Sequence, residues 1–278
     1  MINYALLMIA IGMFAGFAGA ILGLGGGIIL TPILTLLMGV DIKYAIGASI
    51  IAVIATSSGA TIAYLRDKVL NLRVAMFLEI ATTLGALSGA LLTGVIDPKY
   101  LYILFGLLLL FSGYNMIRKL ISHQEVLHRA HPDQLSSKFK LDSSYFDNVE
   151  GKTINYQVEH IPGGLAVMYG AGIASGLLGI GSGAFKVMAM DTVMKMPLKP
   201  STSTSNLMMG VTAAASATVY FFNGSIKPMI AVPLALGILV GARGGSRIMR
   251  DMSARTIRMI FVPILFYIGI EMFMKGIR

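Results

Sequence analysis

Cysteine is absent from the chain, which excludes disulfides, thiolate metal sites and persulfide relays. Charge is scarce as well: acidic and basic residues make up 13% of 278 positions, against about 25% in soluble proteins. The alternating segments of about ten residues that build a membrane β-barrel are missing too. Long apolar runs are present instead. Hydrophobic residues reach 56%, and residues 4–40, 42–65, 72–96, 100–117, 163–194, 205–223, 228–245 and 259–274 are nearly free of charge. One water-soluble core cannot bury this much apolar surface, whereas a bilayer-spanning helix needs roughly 20 such residues. The composition therefore specifies an all-α polytopic protein of the cell membrane.

Other absences narrow the function. All four histidines fall between 120 and 160, so an intramembrane Ser–His protease would lack its base. Glu79 and Asp191 do not stand in the motifs of an intramembrane aspartyl protease, which needs two facing acids. The stretch "GSGAFKV" lacks the G-x-x-x-x-G-K-[ST] spacing of a phosphate loop. No enzyme, cofactor or ATP-driven engine is expected. Lys and Arg do not precede the first apolar run, "MINYALLMIAIGMF", as they do in a secretory signal peptide; a retained membrane helix is expected there. The net charge of +9 comes from residues at block ends, which marks topology rather than nucleic-acid binding.

Residues 120–160 form the one long polar segment, between a first transmembrane repeat (1–119) and a second (161–278). Within it "SYFDNVEGKTINYQV" alternates around Glu150-Gly151, the pattern of a small β-hairpin. His128 and His131 could share a helix face, but a solvated loop explains them better than a metal site. Outside this segment the halves align. A shift of 156 carries Gly16 to Gly172, and Gly23, Gly25 and Gly27 to Gly179, Gly181 and Gly183. Without gaps it also pairs Ser49 with Ser205, Thr56 with Thr212, Tyr64 with Tyr220, Gly85 with Gly241 and Gly89 with Gly245. Such a duplication is the usual build of secondary transporters.

Each half opens with a long apolar block interrupted by the glycine cluster. Glycine costs about 1 kcal/mol in a helix interior, so three or four together break it, and Pro32 adds a kink. If each broken block re-enters on its own side, each half has three full crossings and the halves are inverted. The basic loops 66–73, 118–160, 195–199 and 246–258 then share the cytoplasmic side, and the positive-inside rule holds except at Lys275 and Arg278. Two inverted repeats are therefore expected, each a glycine-broken, re-entrant block followed by three spanning helices.

Such a break sets an anion site. The second helical piece presents free backbone N–H groups. In the second half Gly181, Ser182 and Gly183 supply them, with the Ser182 hydroxyl and Lys186 one turn on. In the first half Gly25, Gly26 and Gly27 supply backbone alone, because Leu30 stands where Lys186 does. A lysine in the membrane costs several kcal/mol unless an anion, Asp191 or water pairs with it; snorkelling is the structural alternative. "STSTSN" (201–206) reads as a cap region opening a helix at 205–223, and Ser203, Ser205 and Asn206, with Ser49 as the first-half equivalent, are candidates for coordinating anionic oxygens. Glu79 is a candidate for proton or ion coupling, with Asp191 as a second; pairing of Glu79 with a tyrosine or Arg243 is the structural alternative. Gly85, Gly89, Gly241 and Gly245 read as close helix packing. Tyr64 and Tyr220 read as interfacial belt residues.

The stretches "GFAGAILGLGGGIILTPIL" (16–34) and "GAGIASGLLGIGSGAFKVMAMDTVMKMPLKPSTSTSNLMMGVTAAASATVYF" (170–221) resemble the sulfite exporter TauE/SafE family of membrane transporters. Ser182 and Met188 depart from it, standing where family members often have Gly and Pro. The resemblance implies transport of small anions, sulfur-containing ones such as sulfite, sulfonates or sulfoacetate, or small organic acids. With the duplicated architecture it gives a secondary carrier using alternating access around a mid-membrane site between two broken helices. H+ or Na+ is a possible coupling ion. An anion channel and a non-transporting membrane sensor or scaffold are the alternatives.

Overall fold

The computed structural model of the chain describes residues 2–22, 25–66, 68–121, 134–147, 151–251 and 254–278. Gly23, Glu150, His128 and His131, named above, lie outside the described residues, as do His123 and Pro132. The first half runs α1 (Ile2–Leu22), α2 (Gly27–Pro32) with a π-helical extension Ile33–Leu37, α3 (Ile42–Arg66), α4 (Leu72–Val95) and α5 (Pro98–Ile121). A short α6 (Gln134–Phe139) and two strands, β1 (Ser143–Asp147) and β2 (Lys152–Tyr156), follow. The second half repeats the order: α7 (Ile161–Leu178), α8 (Gly183–Met188) with a π-helical extension Ala189–Val193, α9 (Leu198–Phe222), α10 (Pro228–Asp251) and α11 (Ala254–Ile277).

The glycine clusters do break the helices. Gly25, Gly179 and Gly181 take φ of 78°, 64° and 69°, the left-handed region that glycine enters without steric cost. Ser182 sits there too, at φ 47°, where an L-residue pays about 1–2 kcal/mol. After each break the chain turns back. A Cβ on Gly26 would lie 3.3 Å from the Ala15 carbonyl oxygen, whereas eleven residues of straight helix would put them about 16 Å apart. In the second half Glu159 N–H donates to Met194 O (3.2 Å), so the end of the π turn returns to the start of α7. Both π turns close in the same way, by Val40 N–H to Leu34 O (3.0 Å) and Met196 N–H to Met190 O (2.9 Å).

Among the described residues six helices, α3, α4, α5, α7, α10 and α11, contain stretches long and apolar enough to cross a membrane, and the chain is a multi-pass integral membrane protein. α9 has 25 residues but begins with the polar run Ser201–Asn206. This run is not a cap before the helix, as the sequence suggested: α9 starts at Leu198, and all six residues are buried. Their side chains bond backward onto the preceding turns, with Ser203 Oγ donating to Lys199 O (2.5 Å) and Asn206 Nδ2 to Thr202 O (3.1 Å). Those two donors are thereby satisfied without leaving the helix.

Helices pair reciprocally: α1 on α10 and α7 on α4, with α3 on α9 and α5 on α11. The first two pairs are set by glycine. A Cβ on Gly85 or Gly89 would collide with the α7 backbone at Tyr169 or Ile173, and one on Gly241 or Gly245 with the α1 backbone at Met13 or Phe17. Tyr64 and Tyr220 are not belt residues, for both are buried. Tyr220 Oη reaches Gly176 O and Thr93 Oγ1, each at 2.9 Å.

The strands pair antiparallel, Ser143 opposite Tyr156 and Asp147 opposite Lys152. This hairpin packs Tyr145, Ile154 and Tyr156 into a cluster with Met190, Met194, Met196 and Met208, capping one end of the second broken block. Asn71 Nδ2 donates to Leu141 O (2.9 Å) and Tyr156 Oη (3.1 Å), Arg73 Nη1 to Lys140 O (3.0 Å), and Lys199 pairs with Asp147 (2.7 Å). Burial pushes the Tyr156 phenol above its usual range, so it keeps its proton. Elsewhere Lys227 lies over the Tyr44 ring, 4.6 Å from its centre, and Lys275 donates to Thr35 O (2.7 Å).

Candidate functional site

The two breaks meet. Gly27 lies against the Gly179 carbonyl and Ile180, so closely that a Cβ would overlap the carbonyl oxygen. Val53 of α3 and Met209 of α9 occupy equivalent places in the repeat, and both pack on the breaks: Val53 touches the space beside Gly25, Gly27 and Gly181, Met209 that beside Gly25 and Gly181. Only glycine permits this approach. The same hydrogen-bond pattern appears twice, with Gly26 O accepting from Ile29 and Leu30 N–H, and Ser182 O from Phe185 and Lys186 N–H.

What the copies do not share is charge. Lys186 is fully buried, with 0% of its surface exposed. Its Nζ donates to Thr212 Oγ1 of α9 (2.5 Å), and Thr212 in turn lies 2.6 Å from Glu79 Oε1 of α4. Thr83, one turn along α4, donates to the same Glu79 oxygen (3.1 Å). The alternatives weighed for Glu79 and Lys186, a tyrosine, Arg243 or Asp191, are replaced here by a threonine bridge that joins the two across the halves. Arg243 is exposed, and Asp191 lies partly exposed in the π turn beyond α8. In the first half Leu30 and Gly26 stand where Lys186 and Ser182 do, and in the second half Ala235 stands where Glu79 does, so the polar cluster is built once only.

The remaining candidates divide. Ser205 Oγ donates to Gly183 O (3.3 Å) and so touches the second break directly. Ser49 instead shares a hydrogen bond with Thr31 (2.6 Å) in the first half. Ser203 turns to Lys199 O, away from the break. The Asn206 side chain donates to Thr202 O, and its backbone carbonyl accepts from Ser57 of α3 (2.5 Å). Three buried atoms in this region have no hydrogen-bond partner: Ser182 Oγ, Asn206 Oδ1 and Glu79 Oε2. A buried polar atom left so costs about 1–3 kcal/mol, and in native proteins such atoms are completed by a water or ion or serve a functional role. Among the described residues no cluster of His, Cys, Asp and Glu could hold a metal.

Sequence reasoning missed Thr212 as the connector, together with Thr83, Val53 and Met209. One signal was available: Thr212 is the repeat partner of Thr56, a hydroxyl retained in both apolar halves.

Comparison with known proteins agrees with this architecture. The family model described as Sulfite exporter TauE/SafE matches residues 8–272. The chain is 27% identical to the probable membrane transporter protein YunE of Bacillus subtilis, over 98% of each chain. It is 27% identical to a probable membrane transporter protein of Xylella fastidiosa (96% of this chain, 95% of that one) and 26% to MJ0441 of Methanocaldococcus jannaschii (96% and 94%). No solved structure matches. A family match across almost the whole length, over a duplicated helical membrane fold with paired glycine breaks, makes the chain a member of the sulfite exporter TauE/SafE family of membrane transporters.

Proposed function

We propose that the protein is a secondary carrier of small anions, sulfur-containing ones such as sulfite, sulfonates and sulfoacetate or small organic acids, with its site at the seam of the two broken helices. One observation carries this reading: a wholly buried lysine, Lys186, stands one turn from the orphaned Ser182 hydroxyl at the only break that has a cation. A buried ammonium is costly unless paired, and this one is paired through a single hydroxyl. Lys186, Ser182 and Ser205 are buried, which favours a carrier that opens alternately over a standing pore. The family description, a sulfite exporter, supports sulfite within that class.

Inverted repeats fit the same reading. Both broken blocks fold back as hairpins, and the helices pair reciprocally. Described residues of the basic segments meet one another, Arg73 at Lys140 and Lys199 at Asp147. The sparsely charged 40–43 and 224–227 gather around Tyr44 and Lys227.

The test is thermal melting of purified protein against sulfite, sulfate, sulfoacetate, taurine and simple carboxylates, followed by flux in liposomes. An anion at a hundred times its Kd adds about 2.7 kcal/mol of stability. Lys186→Met, referenced to its own anion-free melting point, is expected to lose that shift and the flux. An unchanged shift in the variant removes Lys186 from the site.

A further inference from the structure

We propose that Glu79 is the coupling carboxylate of this carrier and that each anion crosses together with one proton held on Glu79; the inference rests on the anion-carrier reading above. Lys186 and Glu79 come from different halves and are joined by one hydroxyl. That hydroxyl carries a single proton but has two acceptors in reach, Glu79 Oε1 at 2.6 Å and Met208 O at 2.7 Å. Its lone pairs meanwhile accept from Lys186. Thr212 is therefore a rotor with two settings. With Glu79 ionised, it gives its proton to the carboxylate; with Glu79 protonated, it turns to its own helix, and the link from Lys186 to Glu79 is cut.

Charge balance selects the setting. In the closed, empty site the ammonium of Lys186 and the carboxylate of Glu79 cancel. An anion arriving at Lys186 is a rival for that one positive charge, and two negative charges on one buried ammonium leave the cluster with a net charge that the membrane interior penalises. Uptake of one proton by Glu79 restores neutrality. The oxygen to receive it is Oε2, which is buried and unbonded, while Oε1 is already engaged by Thr83 and Thr212. The cycle balances: A⁻ and H⁺ enter from one side, the site holds A⁻, Lys186⁺ and neutral Glu79, and both leave on the other, restoring the Glu79–Lys186 pair. Because the cluster is neutral loaded and empty, either form can reorient.

No other charge competes for this role among the described residues packed on Glu79. Lys186 is the charge that acts on it. On its own helix Arg73 bonds to Lys140 O. On α9 Lys199 pairs with Asp147, and Tyr220 bonds to Gly176 and Thr93. On α7 Tyr169 is exposed.

The experiment uses the whole protein in liposomes, with labelled methanesulfonate, a strong-acid anion that stays singly charged throughout, and a pH dye in the lumen. The membrane potential is clamped. A one-unit inside-alkaline gradient is expected to drive about tenfold accumulation, with one proton entering per anion. In Glu79→Gln proton entry is lost, and whatever exchange remains no longer responds to pH; Glu79→Asp keeps an ionisable group and keeps the coupling. Accumulation by native protein that ignores the pH gradient overturns the coupling without any variant, and so does gradient-driven accumulation in Glu79→Gln. Absence of methanesulfonate flux in native protein overturns the sulfonate-carrier reading and this inference with it.

Discussion

Ser182 is the residue at which the two copies of the break part company. Its φ of 47° lies where glycine belongs, while Gly26, its repeat partner, has φ −62° and needs no glycine for its backbone. Ser182 thus bears two costs: left-handed strain of about 1–2 kcal/mol and a buried hydroxyl with no partner. Strain of this kind persists where a site needs the residue. Ser182→Gly relieves both and is expected to raise stability by about 1–2 kcal/mol. Ser182→Ala relieves only the second and should gain less. If the hydroxyl binds the anion, both variants lose anion-dependent stabilisation while melting higher without it. Melting curves with and without sulfite check this, and a glycine variant that melts lower than native would show that the strain is not there. The φ values were foreseeable for Gly25, Gly179 and Gly181, whose residue type announces a break. For Ser182 the residue type gives no such notice, since serine rarely takes a positive φ.

At the scale of elements, the glycines of α4, α7, α1 and α10 decide how close the helices come. The spacing in "GALSG" and "GARGG" made a packing role legible, because without a hydrophobic driving force in lipid, helices associate through small residues. The partner helix was not legible, since α4 meets α7 and α10 meets α1 far away in sequence. The π turns were not legible either. "ILTLL" and "AMDTV" share no residue that forces one, and Pro32 stands before the first alone; the common cause is the shared closure around Leu34 and Met190. α7 offers a clean contrast. A Cβ on Gly172 would collide with the Thr82 carbonyl, whereas one on Gly170, two positions earlier, would meet nothing within 4 Å. Gly172→Leu should therefore separate α7 from α4, at a cost of about 3 kcal/mol or more, and abolish a monodisperse peak in detergent size-exclusion. Gly170→Leu should keep the peak and gain up to about 1 kcal/mol from helix propensity.

In the whole molecule the duplicated scaffold carries one thing that is not duplicated beyond the Lys186 cluster: the hairpin between the halves. Its alternation was readable from the sequence, and so was its position between two repeats. Its docking was not, because the side chains that receive it, Met190, Met194, Met196 and Met208, come from separate parts of the second half and cluster only in the fold. A segment that reads as a dispensable polar loop is thus part of the structure around the second break. Ser143 and Tyr156 are paired across the hairpin, and paired residues stand only about 5 Å apart. Residues 144–155 can accordingly be replaced by two glycines without stretching the chain. The replacement removes the buried Tyr145 and Ile154 and the Asp147–Lys199 ion pair. At about 1.5–3 kcal/mol for each buried side chain, and little for a half-exposed ion pair, the loss should be about 3–6 kcal/mol. It should appear as a lower melting point and as faster peroxide oxidation of Met194 and Met196, read by peptide mass spectrometry. A carrier with its site at the two breaks should still move anions below that melting point, since neither Lys186, Thr212 nor Glu79 touches the hairpin through a hydrogen bond. Flux lost at a temperature where the shortened protein remains folded would instead make the hairpin part of the transport cycle.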